Sequence, residues 1–331
     1  MSFNQDSSNG ATPDHGTPEH FFMPLIGAYD WLYGQGDVRN TRLYELAKNL
    51  SWDADKDIDW QAAGSPLFNR DMPATQRSAI DAWLNDSSPW RGFEPYRRMP
   101  QAEKFAFYQR EHVWHINQFR HGEQGALLVS AQLCVGAPTL DAKLFAASQV
   151  SDEARHVEFF TKYLQRSFPY AYPVSARLKA LLDAIMASSQ WDIKLIGMQV
   201  IIEGLALASF RIAVSESHDP VLKQGLQLIL RDESRHTNFG FQYVQDFLTT
   251  LAPHDMTERE DFAADACALA RDLMLPTPVF TQCGWPVGAA ETYARENGVY
   301  AKFHHALFGI IVPELAVLGL IPERLSARYR E

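Results

Sequence analysis

Two copies of a Glu-x-x-His motif constrain this chain more than any other feature of its sequence. Glu153 and His156 form the first copy, and Glu233 and His236 form the second. In a helix, a separation of three residues brings both side chains of a motif to one face. A single copy is more often a solvated pair than a metal site, so the prediction depends on what accompanies the two motifs.

Two further glutamates, Glu123 and Glu203, lie in apolar segments where an unpaired carboxylate would be costly. Glu203 follows Glu123 by 80 residues, and the second motif follows the first by the same 80 residues. Within each half the two glutamates are 30 residues apart, and the midpoints fall in turn-like segments at Pro138 and His218. The spacing therefore predicts two similar helical hairpins that bring four glutamates and two histidines together.

The rest of the chain also favours helices. Apolar residues recur at helical intervals, which predicts four long helices at 101–136, 139–167, 190–216 and 220–249. The helical pattern begins near residue 36, 89–100 reads as a connector, and the further packing helices are predicted at 74–86, 172–188, 255–273 and 297–319. No stretch alternates strongly enough for a sheet, so the fold class is all-α. We expect a flexible N-terminal tail at 1–20 and one domain at 21–331, with its core bundle at about 100–250.

Composition excludes several classes of function. The net charge is −10 and no helix is basic, which argues against nucleic-acid binding. No uninterrupted apolar run reaches the roughly 18 residues of a membrane span, and the N-terminus does not resemble a signal peptide. The cysteines are odd in number and widely spaced, which favours reduced thiols and a cytoplasmic location; they are Cys134, Cys267 and Cys283.

The candidate ligands have the chemistry of a two-metal site. Hard carboxylates combined with two imidazoles suit iron or manganese, and four carboxylates roughly balance two divalent cations. An aspartate precedes each motif glutamate, and we expect Asp152 to accept a hydrogen bond from His236 and Asp232 from His156. The alternatives are that the buried acids and histidines satisfy each other without metal, and that the two aspartates are solvated.

At these residues the chain resembles ferritin-like di-iron proteins. It is closest in motif to the hydroxylase subunits of bacterial multicomponent monooxygenases that act on methane, toluene and phenol. The matching elements are Gly122-Glu123, Asp152–His156, Glu203 and Asp232–His236. The resemblance implies a ferritin-like four-helix bundle, two iron ions (or a Mn/Fe pair) and dioxygen as co-substrate. It also implies hydroxylation of a small, partly apolar molecule and an external electron donor such as a reductase or ferredoxin. A homodimer is left open.

Single residues weigh for and against other functions. The monooxygenases have Thr where this chain has Leu207, which leaves N-oxygenation or desaturation open beside hydroxylation. Arylamine N-oxygenases have an additional His where this chain has Ile229, and the radical-generating small subunit of ribonucleotide reductase has Tyr at the position of Phe160, so both residues argue against those proteins. A soluble desaturase, an N-oxygenase and a radical generator are the alternative enzymes, and an iron-storage or structural metal protein is the alternative that is not an enzyme.

Residues one helical turn from the ligands are predicted to line a substrate pocket. Gln149 and Gln199 could orient substrate or water, whereas Gly240 could leave space. The candidates are Gln149, Phe160, Gln199, Leu207 and Gly240, with Phe119, Ala126, Leu127, Ala206 and Ile229 beside them. For any one of the apolar residues, ordinary packing in the bundle core is the competing interpretation.

Overall fold

The computed structural model describes residues 20, 23–31, 33, 36–62, 72–168 and 171–329 of the chain. The tail expected at 1–20 lies outside these residues, apart from His20. The described residues form helices joined by turns and loops, and they contain no strand. The predicted all-α class is therefore confirmed.

Thirteen α-helices occur in the described part of the chain, and they are named here in chain order. They are α1 (Val38–Asn49), α2 (Ala74–Asp86), α3 (Glu94–Arg97), α4 (Gln101–Gly136), α5 (Leu140–Ser167), α6 (Ala176–Ala187), α7 (Trp191–Leu195), α8 (Glu203–Glu216), α9 (Pro220–Leu248), α10 (Pro253–Arg271), α11 (Thr277–Gln282), α12 (Val287–Glu296) and α13 (Ala301–Val317). Short 3₁₀ segments occupy Pro89–Gly92 and Glu323–Tyr329. Helices α4 and α5 form the first predicted hairpin, and the segment from α7 to α9 forms the second.

Local sequence signals explain where several of these helices begin. The Asp219 carboxylate accepts hydrogen bonds from Val221 N at 2.9 Å and Leu222 N at 3.2 Å, and Pro220 occupies the first position of α9. Ser175 caps α6 by accepting from Leu178 N at 3.1 Å. These caps satisfy amide groups that have no partner within their own helix.

The helix predicted at 190–216 is not a continuous α-helix. A π-helical segment, Ile196–Ile202, lies between α7 and α8, and all seven of its residues are buried. Such segments are short and rare, and they often occur at functional sites. Apart from Gly197 and Gln199 the segment is apolar, so the sequence pattern carries no periodicity that would reveal the wider turn.

Other boundaries also differ from the prediction. Helix α13 begins at Ala301 rather than at 297, because Gly298 takes a left-handed turn conformation with φ of 59°. The predicted connector at 89–100 contains a 3₁₀ turn and α3, and helices α11 and α12 were not predicted. These short helices are defined by tertiary packing more than by their own periodicity.

Two apolar clusters enclose the middle of the bundle. The first contains Ala126 and Phe239, and the second contains the largely aromatic packing around Phe160 and Ile229. All four of these residues lie within one helical turn or so of a predicted ligand. The ligands consequently lie where the two clusters meet, far from bulk water.

The segment Trp191–Glu216 is long and apolar enough, by length and composition, to cross a membrane. The sequence prediction had considered only uninterrupted apolar runs, and this segment is interrupted by Asp192, Lys194 and Glu203. Within the protein, 89% of its most apolar window is buried. That degree of burial is typical of the core helix of a folded bundle.

Candidate metal centre

The six predicted ligands converge at the middle of the bundle; five lie inside α4, α5 and α9, and Glu203 lies where the π-helical segment joins α8. Their candidate ligand atoms form two overlapping groups of four, and within each group all the atoms lie within 4.8 Å of one another. The first quartet is Glu123, Glu153, His156 and Glu233, and the second quartet is Glu153, Glu203, Glu233 and His236. Glu153 and Glu233 belong to both quartets, so they are the two residues placed to bridge a pair of cations.

The two bridging glutamates each direct one oxygen to either histidine. Glu153 Oε2 lies 3.1 Å from His156 Nδ1, while its Oε1 lies 3.2 Å from His236 Nδ1. Glu233 Oε1 lies 3.1 Å from His156 Nδ1, and its Oε2 lies 3.5 Å from His236 Nδ1. This is the arrangement in which a carboxylate can span two adjacent cations.

The other two glutamates each belong to one quartet only. Glu123 Oε2 lies 3.1 Å from His156 Nδ1, and Glu203 Oε2 lies 3.4 Å from His236 Nδ1. Each quartet thus offers one terminal carboxylate, one imidazole nitrogen and a share of two bridges. The two glutamates that belong to a single quartet also occupy equivalent places in the chain. Glu123 and Glu203 each come from the first helical segment of a hairpin.

Each histidine turns its other ring nitrogen to an aspartate of the opposite hairpin. His236 Nε2 lies 3.0 Å from Asp152 Oδ2, and His156 Nε2 lies 3.3 Å from Asp232 Oδ2. These are the two cross-hairpin pairs expected from the sequence. When Nε2–H donates to the aspartate, the lone pair of Nδ1 remains free for a metal ion.

Two arginines tie the aspartates together. Arg235 is buried and Arg155 is nearly so. Arg235 bridges the hairpins, with Nη2 3.0 Å from Asp152 Oδ2 and Nη1 2.8 Å from Asp232 Oδ1. Arg155 pairs with Asp152 in the same layer. The guanidinium groups compensate the buried carboxylates, which would otherwise be costly.

Trp52 is a contact of the centre that the sequence analysis missed. Its indole Nε1 donates to Asp232 Oδ2 at 2.7 Å, and its ring stacks on His156 with centroids 6.2 Å apart. The loop that carries Trp52 follows α1 and meets a residue 180 positions later in the chain. Only tertiary packing establishes such a contact, and the segment around Trp52 carries no recognisable ligand motif.

Burial and crowding shift the pKa values of the ligands in opposite directions. Burial and the nearby Glu233 carboxylate raise the pKa values of Glu123 and Glu203 well above the ordinary value. Burial lowers the pKa values of His156 and His236, but the adjacent glutamates outweigh it and raise them well above the ordinary value. For Glu153 the two imidazoles outweigh burial, and its pKa is lowered. Protons would therefore have to balance this cluster wherever cations do not.

The donor set fits two divalent cations. Three candidate ligand atoms are buried and form no hydrogen bond among the described residues; they are Glu203 Oε2, Glu233 Oε1 and His236 Nδ1. Buried polar atoms are normally paired, so unpaired atoms that converge on one point indicate a missing partner. Carboxylate oxygens and imidazole nitrogens in this number suit iron or manganese.

The predicted pocket residues surround the centre unequally. Gln149 and Gln199 are fully buried, and the Gln149 amide contacts Glu153 and Glu203 directly. On the other side, the Phe160 ring packs against Phe119 at 6.0 Å and Phe210 at 5.9 Å between centroids. Aromatic rings lie on both sides, since Phe145 packs edge-on against His236 at 6.3 Å between centroids, whereas the buried amides contact the second quartet.

Gly240 does not open space as the sequence analysis expected. A Cβ atom added at Gly240 would lie 2.2 Å from Gln199 Cβ, so the Gln199 side chain already fills this place. Glycine is needed here for the close approach of two helical segments. Leu207 is buried in α8, and Ala126 is buried in α4.

Solved structures with a similar fold carry a two-metal cofactor in their descriptions. The chain is similar to a variant of an R2-like ligand-binding oxidase with aerobically reconstituted Mn/Fe cofactor, with 17% identity, a TM-score of 0.52, and coverage of 86% of this chain and 95% of that one. A second variant, with anaerobically reconstituted Mn/Fe cofactor, gives 17% identity, a TM-score of 0.52, and coverage of 88% and 95%. The oxidase itself after a long soak gives 18% identity, a TM-score of 0.50, and coverage of 88% and 94%.

These similarities support the ferritin-like bundle at the level of the fold. The closer resemblance to monooxygenase hydroxylase subunits is not confirmed by them. No family model matches the sequence. The comparison with curated proteins likewise gives no match.

Proposed function

We propose that this protein is a dioxygen-dependent oxidoreductase whose active centre is a pair of metal ions bound by Glu123, Glu153, His156, Glu203, Glu233 and His236. One observation carries the proposal, namely that the two quartets overlap at Glu153 and Glu233. A single cation needs no shared ligands, and a purely structural charge cluster has no reason to leave converging ligand atoms unpaired.

Two iron ions are the proposed cofactor, with a Mn/Fe pair as the variant. The names of the similar oxidases, which include a Mn/Fe cofactor, support this choice. When bound in the reduced state, such ions supply electrons to dioxygen, and an external donor such as a reductase or ferredoxin must renew those electrons. The contribution of this chain to that chemistry is the set of six ligands.

The protein groups around the centre have separate tasks. Glu153 and Glu233 would be the ligands shared by the two cations. Asp152 and Asp232 accept the Nε2–H protons of His236 and His156, which keeps each Nδ1 directed at a cation. The ligands are almost fully buried, so bulk water is excluded from the reacting centre.

The substrate is proposed to be small and partly apolar, and hydroxylation is the proposed reaction. Phe119, Phe160 and Phe210 border the first quartet with apolar rings, and Leu207 adds an aliphatic side chain next to α8's ligand. Phenyl rings of this kind can contact the apolar part of a substrate, and they do not themselves bind metal ions. Gln149 and Gln199 supply the polar groups. We further propose a cytoplasmic location, in line with three free cysteines in the described structure.

Metal content and dioxygen uptake test the proposal together. Protein reconstituted with ferrous iron without air is expected to hold about two ions per chain. On exposure to air it should consume dioxygen, and a chemical reductant should sustain that uptake. One ion or none after reconstitution would overturn the metal centre, and two ions without dioxygen uptake would leave a structural metal protein.

A second measurement separates substrate oxidation from storage of a radical. Phe160 is one turn after His156 and has no phenolic proton, so it cannot hold a stable tyrosyl radical. After reaction with dioxygen, the wild-type protein should show no long-lived tyrosyl signal in electron paramagnetic resonance. Phe160→Tyr is the matched variant, because it adds only the phenol. A near-stoichiometric tyrosyl signal in the wild type would favour the radical generator instead.

A further inference from the structure

Two buried amide side chains lie on the side of the second quartet, where they meet Glu203 and the shared Glu153. Gln149 lies one turn before Glu153 in α5, and Gln199 lies one turn before Glu203 in the π-helical segment. Both side chains are fully buried. The positions 80 residues away, which border the first quartet, hold Ile229 and Phe119.

Gln149 donates to both kinds of carboxylate in the second quartet. Its Nε2 lies 2.6 Å from Oε1 of the terminal Glu203 and 3.0 Å from Oε1 of the bridging Glu153. A side-chain amide has two N–H groups, and these two contacts use both of them. Hydrogen bonds to a charged acceptor are stronger than those between neutral groups, so the orientation of Glu203 follows the amide.

Gln199 fixes which end of the Gln149 amide faces the carboxylates. Gln199 Nε2 donates to Gln149 Oε1 at 3.2 Å, so the opposite end of Gln149, its Nε2, must point to Glu153 and Glu203. Gly240 makes this arrangement feasible, because a Cβ atom there would overlap Gln199 Cβ at 2.2 Å. The amide pair is thus held by packing as well as by hydrogen bonds.

The consequence falls on the two oxygens of Glu203. Gln149 engages Oε1, while Oε2 is buried, unpaired among the described residues, and 3.4 Å from His236 Nδ1. One oxygen is therefore occupied by the amide, and the other is presented where a cation of the second quartet would lie. Next to Glu123, at the terminal position of the first quartet, the equivalent residues are apolar and offer no such donor.

We propose that Gln149 is a positioning residue that restricts Glu203 to ligation through one oxygen and so makes the two metal positions chemically unequal. This inference rests on the two-metal centre proposed above. Gln199 acts one step further out, because it holds Gln149 in the productive orientation. The inequality is built into the protein and precedes any reaction with dioxygen.

Mössbauer spectroscopy tests the inference independently of activity. The protein is loaded without air with ferrous iron enriched in the Mössbauer-active iron isotope. Wild-type protein should give two quadrupole doublets of equal area, one from each position. In Gln149→Leu the Glu203 carboxylate is free to use both oxygens, so the doublet of the second-quartet position should shift more than the other, which Gln149 reaches only through the shared Glu153. Iron binding at one of the two positions should also weaken by about 10–100-fold, the usual effect of losing an outer-sphere partner.

Ile229→Leu is the matched control, since it alters packing at the equivalent position of the other quartet without removing a donor. It should leave both doublets in place. Should Gln149→Leu fail to fold, Gln199→Leu removes only the bond that orients Gln149 and is expected to move the same doublet by less. A single doublet in the wild type, or unchanged spectra in both glutamine variants, would overturn the inference while leaving the two-metal centre intact. A wild type without bound iron would instead reject the proposed function.

Discussion

The two hairpins share their ligands but not their surroundings. Residue for residue, an offset of 80 pairs Glu with Glu, His with His, Asp152 with Asp232 and Arg155 with Arg235. The same offset pairs Phe119 with Gln199. The shared residues are the proposed ligands, the aspartates that pair with the histidines, and the arginines that pair with those aspartates. The residues that differ have different contacts in the two halves.

This comparison indicates which properties follow from the approximate twofold symmetry. Symmetry provides two equal donor sets, and it crosses the hairpins through the aspartates and arginines. Departures from symmetry provide an amide at Glu203, aromatic rings near Glu123, and the Trp52 indole at Asp232 alone. We infer that the residues shared by the two hairpins bind the metal ions. The residues that differ between the hairpins make the two sides of the proposed centre chemically different.

Removing single carboxylates should have the largest effect. It tests whether the shared Glu233 and the terminal Glu123 have the different roles that the two quartets assign to them. Glu233→Ala removes a bridge that belongs to both quartets, so iron content should fall from about two ions per chain to near zero. Glu123→Ala removes a terminal ligand of one quartet and should leave about one ion. Elemental analysis after anaerobic reconstitution measures both, with circular dichroism to confirm that the helices persist. Equal losses in the two variants would show that Glu233 does not bridge.

The aspartates provide the next largest effect and test the symmetric part of the outer network. Asp152→Ala and Asp232→Ala should each weaken metal binding by about 10–100-fold, because each leaves a histidine without its Nε2–H acceptor. Asp→Asn at either position keeps an acceptor oxygen and should recover part of the affinity. Competition with a metal-binding dye measures the constants. A large effect at only one aspartate would mean that the outer network is not equivalent in the two hairpins.

The pair Phe160 and Gly240 tests how differently the halves are packed. Phe160→Ala removes a fully buried ring and should lower the free energy of unfolding by about 3–5 kcal/mol. Gly240→Ala adds a methyl group where Gln199 Cβ already lies, and it should cost about 1–3 kcal/mol through overpacking. Urea denaturation gives both values. If Gly240→Ala proved neutral, Gln199 would not be fixed against α9.

The symmetric part of the site is the part that could be predicted from the sequence. Spacing alone brought Glu123, Glu203 and the two motifs to one point, because helical geometry converts sequence intervals into depth along a hairpin. Three of the four long helices, α4, α5 and α9, were predicted within a few residues, whereas the fourth contains the π-helical segment. The pairing of Asp152 and Asp232 with the opposite histidines followed from the twofold relation.

The asymmetric part could not be predicted, for identifiable physical reasons. Trp52 reaches the site from a loop whose course depends on packing, and the π-helical segment lies in a mostly apolar stretch without helical periodicity. Gly240 was taken for open space, because a sequence shows a missing side chain but not the neighbour that fills its place. The Gln149 amide was expected to face substrate or water, whereas its hydrogens are used by Glu153 and Glu203.

The smallest predicted effect concerns the outer end of the first hairpin, where Glu111 has Trp191 as its counterpart 80 residues later. Glu111 accepts a hydrogen bond from the Tyr300 hydroxyl at 2.8 Å, and burial raises the pKa of Glu111 to about 7. The pKa of Glu111 is thus higher in the folded state than in the unfolded state. Protonated Glu111 therefore makes its full contribution to stability at pH values below its unfolded pKa. That contribution is lost as the pH rises toward 7, because the folded protein must then bury a charge or release the carboxyl group.

Glu111→Gln keeps an acceptor for Tyr300 and cannot ionise, so it should remove this pH dependence. Relative to the wild type, the variant should gain about 1–3 kcal/mol in the free energy of unfolding between about pH 5 and about pH 8. Urea denaturation at several pH values measures the difference. Tyr300→Phe is the control that removes the donor but keeps the carboxyl group, and it should move the transition to higher pH. A difference in the free energy of unfolding between Glu111→Gln and wild type that does not change with pH would contradict the raised pKa of Glu111.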